Sequence, residues 1–146
     1  MERKAPRSVS RETEGDGSGG ASSRGGGGCI LVVDDDEDSR LARRVLLESY
    51  GYTVYEAEDG EEAVREARRR SPRLILMDLM MPVMDGIEAA RRIHELFEQS
   101  GPRIVCVSAM DGAREKAAEA GFDDCLLKPL ELARFRQRVD RWLAPS

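Results

Sequence analysis

Five polar residues of this chain each stand at the end of an apolar run, and their types suggest phosphate chemistry. They are Asp34 and Asp35, Asp78, Ser108, and Lys128. The most informative of them is Asp78, which follows Leu74 to Met77 and precedes a proline-containing turn. By itself such an aspartate could equally be a turn residue or a helix cap, so its role depends on whether the other four residues lie beside it.

Carboxylates at neighbouring strand ends would form a binding site for a hard cation. Three carboxylates within a few ångströms repel one another unless a cation intervenes. Mg²⁺ takes oxygen ligands, keeps several waters and recruits phosphate oxygens. Beside such a site, Ser108 supplies a hydrogen-bond donor and Lys128 a positive charge for a phosphoryl group. Neither residue is needed to bind the metal.

The elements that must position these residues alternate strand and helix from Cys29 onward. The expected strands are 29–33, 52–57, 74–78, 103–107 and 124–127. The expected helices are 39–50, one capped by Asp59, one capped by Asp85, 112–120, and a last one around 132–142. Because crossovers between parallel strands are right-handed and short, this alternation predicts an α/β fold. We expect a flavodoxin-like three-layer sandwich, with a five-stranded parallel sheet in the order 2-1-3-4-5 and five helices.

Apolar spacing predicts which side of each helix faces the sheet. The expected inner residues are Leu41, Val45 and Leu46 in the first helix, Ala63, Val64 and Ala67 in the second, Ile87, Ala90, Ile93 and Phe97 in the third, and Leu132, Phe135, Val139 and Trp142 in the last. The fourth helix has a weak apolar stripe, which indicates a loosely held element.

Composition predicts a water-soluble protein of the cytoplasm. The chain is 40% hydrophobic and 35% charged, and its formal charge of -5 argues against general nucleic-acid or acidic-membrane binding. No apolar run approaches the roughly 18 residues of a membrane span.

Cys29, Cys106 and Cys125 lack metal-type spacing and are predicted to be buried free thiols. Residues 1–28 hold eight of the fourteen glycines, which predicts a disordered tail. We expect residues 29–143 to form one domain and expect no output domain after it.

The chain resembles the receiver domains of two-component signalling, the CheY-like response-regulator family, over residues 29–143. The matching motifs are Val33-Asp34-Asp35, Asp78 with Met81-Pro82-Val83-Met84-Asp85-Gly86, Ser108-Ala109, and Lys128-Pro129. Each motif is weak alone, but their joint occurrence in this order at consecutive strand ends is specific.

The resemblance implies a role for each residue of the pocket. Asp78 would accept phosphate from a histidine kinase or a histidine phosphotransfer protein. Asp35, Asp78 and the backbone carbonyl of Met80 would bind Mg²⁺, with Asp34 acting largely through water. Ser108 would hydrogen-bond the phosphoryl group, Lys128 would pair with it, and the Lys128-Pro129 bond would be cis.

The function implied by the resemblance is that of a single-domain response regulator rather than an enzyme with a separate substrate. It would signal to a protein target through the face formed by the fourth helix, fifth strand and fifth helix, where Arg134, Arg138 and Arg141 lie. One alternative is a phosphorelay intermediate that passes phosphate to a histidine phosphotransfer protein. Another is a constitutive interaction module whose acidic pocket is vestigial.

Three other interpretations of single motifs are weaker. The acidic run from Asp34 could suggest a calcium loop, but Ser39 stands where glycine is wanted and Val45 where glutamate is wanted. A phosphatase of the haloacid-dehalogenase type would use Asp34 as nucleophile, but the compact chain lacks a cap and Asp78 would lose its role. His94, the only histidine, reads as a surface residue rather than a phosphodonor.

One position departs from the family pattern. Receivers usually carry an aromatic residue three positions before the lysine, and here that residue is Cys125. A thiol is too small to move as a ring does, which puts the usual coupling between Ser108 and the output face in doubt. Phe122 lies nearby and either substitutes for the missing ring or simply packs a helix end.

Overall fold

The computed structural model describes residues 28–79, 81, 85–98 and 100–144. The strands are β1 (Cys29–Val33), β2 (Thr53–Ala57), β3 (Leu74–Asp78), β4 (Arg103–Ser108) and β5 (Asp124–Leu127). The helices are α1 (Glu37–Ser49), α2 (Gly60–Arg70), α3 (Gly86–Phe97), α4 (Ala113–Glu119) and α5 (Leu132–Leu143). The expected tail lies outside the described residues, apart from Gly28.

All the strand pairs are parallel, and the sheet has the order β2-β1-β3-β4-β5. This is the order expected from the sequence, with the more polar strand β2 at an edge. Because every crossover passes through a helix, the carboxyl ends of all strands meet at one edge of the sheet. The predicted flavodoxin-like fold is therefore confirmed, and the residues that end or follow β1, β3, β4 and β5 lie at this edge.

Two apolar cores lie on opposite faces of the sheet, and β1 shows how its side chains divide between them. Ile30 and Val32 pack with residues of α1 and α5, whereas Leu31 and Val33 pack with residues of α2, α3 and α4. All four side chains are fully buried. A strand covered on both faces needs a continuous apolar run, which is why 30–33 carries no alternation of polar residues.

Aspartates cap three of the helices at their N-termini. Asp36, Asp59 and Asp85 each accept a hydrogen bond from the backbone N–H three residues on, at 2.8–2.9 Å. These bonds satisfy donors that have no partner within the helix. Helix α1 accordingly begins at Glu37, two residues before the expected start at Ser39, because Asp36 rather than a later residue is the cap.

Three predictions about helix faces are wrong. In α1, Leu41 and Val45 are 47% and 55% exposed, and the buried residues are Arg43 and Leu47. Ile87 of α3 is 38% exposed, while Ala89 takes an inner place beside Ala90 and Ile93. Leu132 of α5 is also exposed. Apolar spacing leaves the exact rotation of a short helix open by one position, and contact with the sheet decides it.

The three cysteines are free, as expected, with Cys106 and Cys125 buried and Cys29 partly so. Burial is the main reason why the pKa of the Cys29 thiol rises to about 12. Among the described helices, none is both long and apolar enough to cross a bilayer.

Candidate functional site

Three carboxylates meet at the carboxyl edge of the sheet. Asp34 and Asp35 follow β1, and Asp78 ends the adjacent strand β3. One carboxylate oxygen from each lies within 4.8 Å of the other two. Oxygen donors at this spacing suit a hard divalent cation such as Mg²⁺, so the donor set fits the metal expected from the sequence.

Asp34 is the most buried of the three, with 1% of its surface exposed. Its Oδ1 accepts a hydrogen bond from the backbone N–H of Asp36 at 2.9 Å. Its Oδ2 accepts one from Nη1 of Arg43, also at 2.9 Å. Arg40 donates to the backbone carbonyl of Asp34 at 2.8 Å. Asp34 is therefore held by α1 on one side, while Asp35 is exposed.

Lys128 brings a positive charge to the same edge. Its Nζ lies 3.9 Å from Oδ2 of Asp34 and 4.0 Å from Oδ2 of Asp78. Its backbone N–H donates to the carbonyl of Ser108 at 2.9 Å, and the following peptide bond to Pro129 is cis, as expected. With 31% of its side chain exposed, Lys128 can turn toward a group that arrives from solvent.

Ser108 ends β4, between β3 and β5 in the sheet, and is 2% exposed. Its Oγ accepts a hydrogen bond from the backbone N–H of Met110 at 3.0 Å. The hydroxyl hydrogen is therefore available for an incoming acceptor, which is the property that the sequence interpretation required of this residue.

The chain after Asp78 returns closely past the strand end. The N–H of Gly86 donates to the carbonyl of Leu79 at 2.8 Å, and a Cβ at Gly86 would lie 2.2 Å from the backbone oxygen of Asp78. Only glycine allows this approach. The predicted metal ligand Met80, and Pro82 to Met84 in the turn, lie outside the described residues.

Cys125 lies on β5 directly beside Cys106 of β4. Burial is the main cause that raises the pKa of Cys106, and the neighbouring Cys125 side chain adds to it. Both thiols belong to the core on the α2–α4 face, as does Phe122. Phe122 is 7% exposed and its N–H donates to the carbonyl of Ala117, so it packs against the end of α4.

The arginines of α5 are engaged to different degrees. Arg138 donates to Asp124 at 2.8 Å and its guanidinium lies 5.4 Å from the ring of Trp142. Burial of Asp124 opposes its ionisation, but hydrogen bonds from the Cys125 backbone and from Arg138 outweigh this, so its pKa is lowered. Arg134 pairs with exposed Glu131 at 3.6 Å.

The residue that the sequence interpretation missed is Arg43. Arg43 lies in a run of charged and apolar residues, and the apolar spacing favoured its neighbours Leu41 and Val45 as the inner residues. The available signal was the spacing of Arg43 from Leu47, which puts both on one face of a helix that follows an acidic strand end.

Comparison with known proteins agrees with this geometry. The family model described as "Response regulator receiver domain" matches residues 30–140. The chain is 36% identical over 106 residues to the chemotaxis protein CheY of Bacillus subtilis, covering 70% of this chain and 86% of CheY. It is 39% identical over 99 residues to the signal transduction histidine-protein kinase BarA of Escherichia coli, covering 66% of this chain but only 11% of BarA.

A solved structure carries the same fold with a metal bound. The receiver domain of the sensor histidine kinase PA1611 from Pseudomonas aeruginosa, which has a magnesium ion coordinated in its active-site cleft, matches with a TM-score of 0.71. The sequences are 35% identical, and the match covers 80% of this chain and 98% of that domain. With the family model spanning most of the chain, the protein belongs to the response regulator receiver domain family of two-component signal transduction.

Proposed function

We propose that this protein accepts a phosphoryl group on Asp78 and passes the signal on through contacts with another protein. The observation that carries the proposal is the meeting of three carboxylates and one ammonium group at a single sheet edge, with Lys128 within 4.0 Å of both Asp34 and Asp78. If Asp78 were only a helix cap or a turn residue, it would not require the carboxylates of Asp34 and Asp35 and the ammonium of Lys128 beside it.

The reaction forms one bond and breaks one bond. An oxygen of Asp78 attacks the phosphorus of a phosphohistidine, the P–N bond breaks, and the freed imidazole nitrogen takes up a proton from solvent. Such a transfer needs mainly positioning and neutralisation of the equatorial oxygens. A bound Mg²⁺, held by Asp35 and Asp78 with Asp34 close by, would supply part of that neutralisation.

Two side chains of the pocket have distinct roles in this proposal. The ammonium of Lys128 leaves the two carboxylates and pairs with the new phosphoryl group. The hydroxyl of Ser108 donates to a phosphoryl oxygen while its own oxygen keeps the bond from Met110. The Met80 carbonyl completes the proposed metal ligands.

The proposed phosphodonor is a histidine kinase or a histidine phosphotransfer protein, and the proposed location of the exchange is the cytoplasm. The downstream target would bind the face formed by α4, β5 and α5.

Residues 1–28 would be a tail beside the domain at 29–143, and no nucleic-acid binding or membrane insertion is proposed. The protein would act only on its own phosphorylation, without a separate substrate.

A phosphorelay intermediate is the second candidate, since the similar segment of BarA is part of a much longer histidine kinase. In that case the phosphate on Asp78 would move on to a histidine phosphotransfer protein. Incubating the phosphorylated chain with a purified phosphotransfer domain, and following loss of phosphate from Asp78 against the appearance of phosphohistidine, distinguishes the two.

Phosphorylation itself is tested by intact mass after incubation with Mg²⁺ and acetyl phosphate. We expect one added phosphate, absent from Asp78→Asn and absent when EDTA removes the metal. Asp59→Asn is the matched control, because it changes the cap of α2 rather than the pocket and should still be phosphorylated. An unmodified wild-type chain would contradict the proposal and favour the constitutive interaction module.

A further inference from the structure

Arg43 is a buried charge whose place in the pocket the proposed function does not explain. It is 7% exposed, and its guanidinium donates to Oδ2 of Asp34 at 2.9 Å. On α1 it stands four residues before Leu47, which is buried in the core on the α1 and α5 face of the sheet. A buried arginine requires a partner because an unpaired charge in an apolar setting is costly. Arg43 and Asp34 are thus mutually dependent.

The same carboxylate oxygen has a second cation near it. Nζ of Lys128 lies 3.9 Å from Oδ2 of Asp34, while Oδ1 already accepts from the backbone of Asp36. Both oxygens of Asp34 therefore have donors from the protein before any metal arrives. The exposed Asp35 differs, since none of the described residues donates a hydrogen bond to its carboxylate.

This difference gives the two carboxylates different electrostatic surroundings. When a metal binds at the cluster, the charge of Asp35 would be uncompensated, whereas the charge of Asp34 would already be compensated by Arg43. When Lys128 turns to a phosphoryl group, Asp34 loses its second cation but keeps the first. Arg43 is fixed on α1 and buried, so it stays as a permanent counter-ion.

We propose that Arg43 is a positioning residue which holds Asp34 turned toward α1 and lowers the affinity of the pocket for Mg²⁺. This inference rests on the proposed function, since it assumes that Mg²⁺ binds at the carboxylate cluster. A cation that is fixed near a divalent metal opposes its binding by Coulomb repulsion, and the burial of Arg43 limits screening by solvent.

The test is Mg²⁺ affinity measured by NMR titration at pH 8 in the wild type, Arg43→Met and Arg43→Lys. Arg43→Met keeps much of the side-chain volume without the charge, and we expect its Mg²⁺ dissociation constant to fall by about three- to tenfold. Arg43→Lys restores the charge and should return the constant to within about twofold of wild type. Arg44→Met, which removes a charge paired with Glu56 and Glu48, is the control and should leave it unchanged.

Unchanged or weaker Mg²⁺ binding by Arg43→Met overturns the inference. If that variant does not fold, Arg43→Gln is judged by the same criterion. A measurement on the wild type needs no variant: the guanidinium N–H signals of Arg43 should persist at saturating Mg²⁺, and their loss also overturns it. A wild type that binds no Mg²⁺ and takes no phosphate contradicts the proposed function instead, which separates the two failures.

Discussion

Among the described residues, Arg43 and Lys128 are the two cations beside the carboxylate of Asp34, and they differ in their freedom to move. Arg43 is buried and bonded to Asp34, whereas Lys128 is 31% exposed and stands near Asp34 and Asp78 at 3.9 and 4.0 Å. These distances are too long for hydrogen bonds, so Lys128 interacts with the two carboxylates as an ion pair only. Lys128 is consequently the cation that can change partners, and Arg43 is the one that cannot.

Lys128→Ala should leave Mg²⁺ binding intact or slightly stronger, because the change removes a positive charge beside two carboxylates. It should also remove most of the conformational response to phosphorylation, since no ammonium is left to follow the phosphoryl group. The measurement is the set of amide chemical shifts on α4, β5 and α5 before and after phosphorylation. Shifts as large as those of wild type would show that Lys128 has no such role. Lys116→Ala, an exposed lysine of α4, serves as control.

At the scale of elements, the orientation of Asp78 depends on the close approach of α3 to the end of β3. The first residue of α3 is Gly86, whose N–H bonds the carbonyl of Leu79. The cap Asp85 then orders the first turn through the N–H of Glu88. The end of β3 and the start of α3 are therefore coupled, and a change in either should move the carboxylate of Asp78.

Gly86→Ala should destabilise the protein by about 2–3 kcal/mol, because the new Cβ would meet backbone atoms that cannot move aside. It should also weaken Mg²⁺ binding by displacing Asp78. Urea unfolding and Mg²⁺ titration measure the two effects. Gly112→Ala is the control: its φ of 78° is unfavourable for alanine but its surroundings are open, so only about 1 kcal/mol and no change in Mg²⁺ affinity are expected. Equal costs for the two variants would contradict this view of Gly86.

A second link between elements joins α1 to the edge strand β2 through Glu56. Burial opposes the ionisation of Glu56, but hydrogen bonds from Arg40 and Arg44 outweigh it and hold its pKa below the usual value of a glutamate. A carboxyl with a lowered folded-state pKa stabilises the fold above its unfolded-state pKa, and this contribution is lost as pH falls through the folded-state value.

Glu56→Gln should therefore cost about 1–2 kcal/mol at pH 7, and the difference from wild type should shrink below about pH 4.5. Urea midpoints at pH 7, 5 and 3.5 measure this dependence. Exposed Glu61→Gln should show no comparable change. A Glu56→Gln deficit that stayed constant down to pH 3.5 would mean that its ion pairs do not stabilise the fold.

In the domain as a whole, two apolar cores support an edge at which three carboxylates lie within 4.8 Å of one another. The sheet supplies rigidity, since its central strands β1, β3 and β4 are buried almost throughout. The carboxylate cluster lies where these strands end, so relief of repulsion there should be measurable as stability of the whole domain.

Mg²⁺ should raise the melting temperature, because a ligand that binds only the folded state stabilises it by about 1.4 kcal/mol at ten times its dissociation constant. Asp35→Asn should be more stable than wild type without metal and should gain less from Mg²⁺. Thermal unfolding in MgCl₂, compared with NaCl of equal ionic strength, separates binding from screening. Equal gains in the two salts would count against a metal site.

The sequence alone determined the strand order, the helix caps Asp59 and Asp85, and the placement of Asp34, Asp35, Asp78, Ser108 and Lys128 at one edge. It could do so because parallel strands joined by helices bring all their carboxyl ends together. The roles of these residues stay predictions, and that of Met80 lies in the part of the chain that is not described.

The rotation of α1 against the sheet could not be predicted from the sequence. Apolar spacing favoured Leu41 and Val45 as inner residues, yet both are exposed and Arg43 is buried in their place. A charged side chain can face inward where a carboxylate outside its own helix lies within hydrogen-bond distance. The sequence of one helix does not contain that partner, so the apolar spacing of α1 could not predict that Arg43 is buried. The ion pair between Arg43 and Asp34 joins residues nine positions apart through the fold.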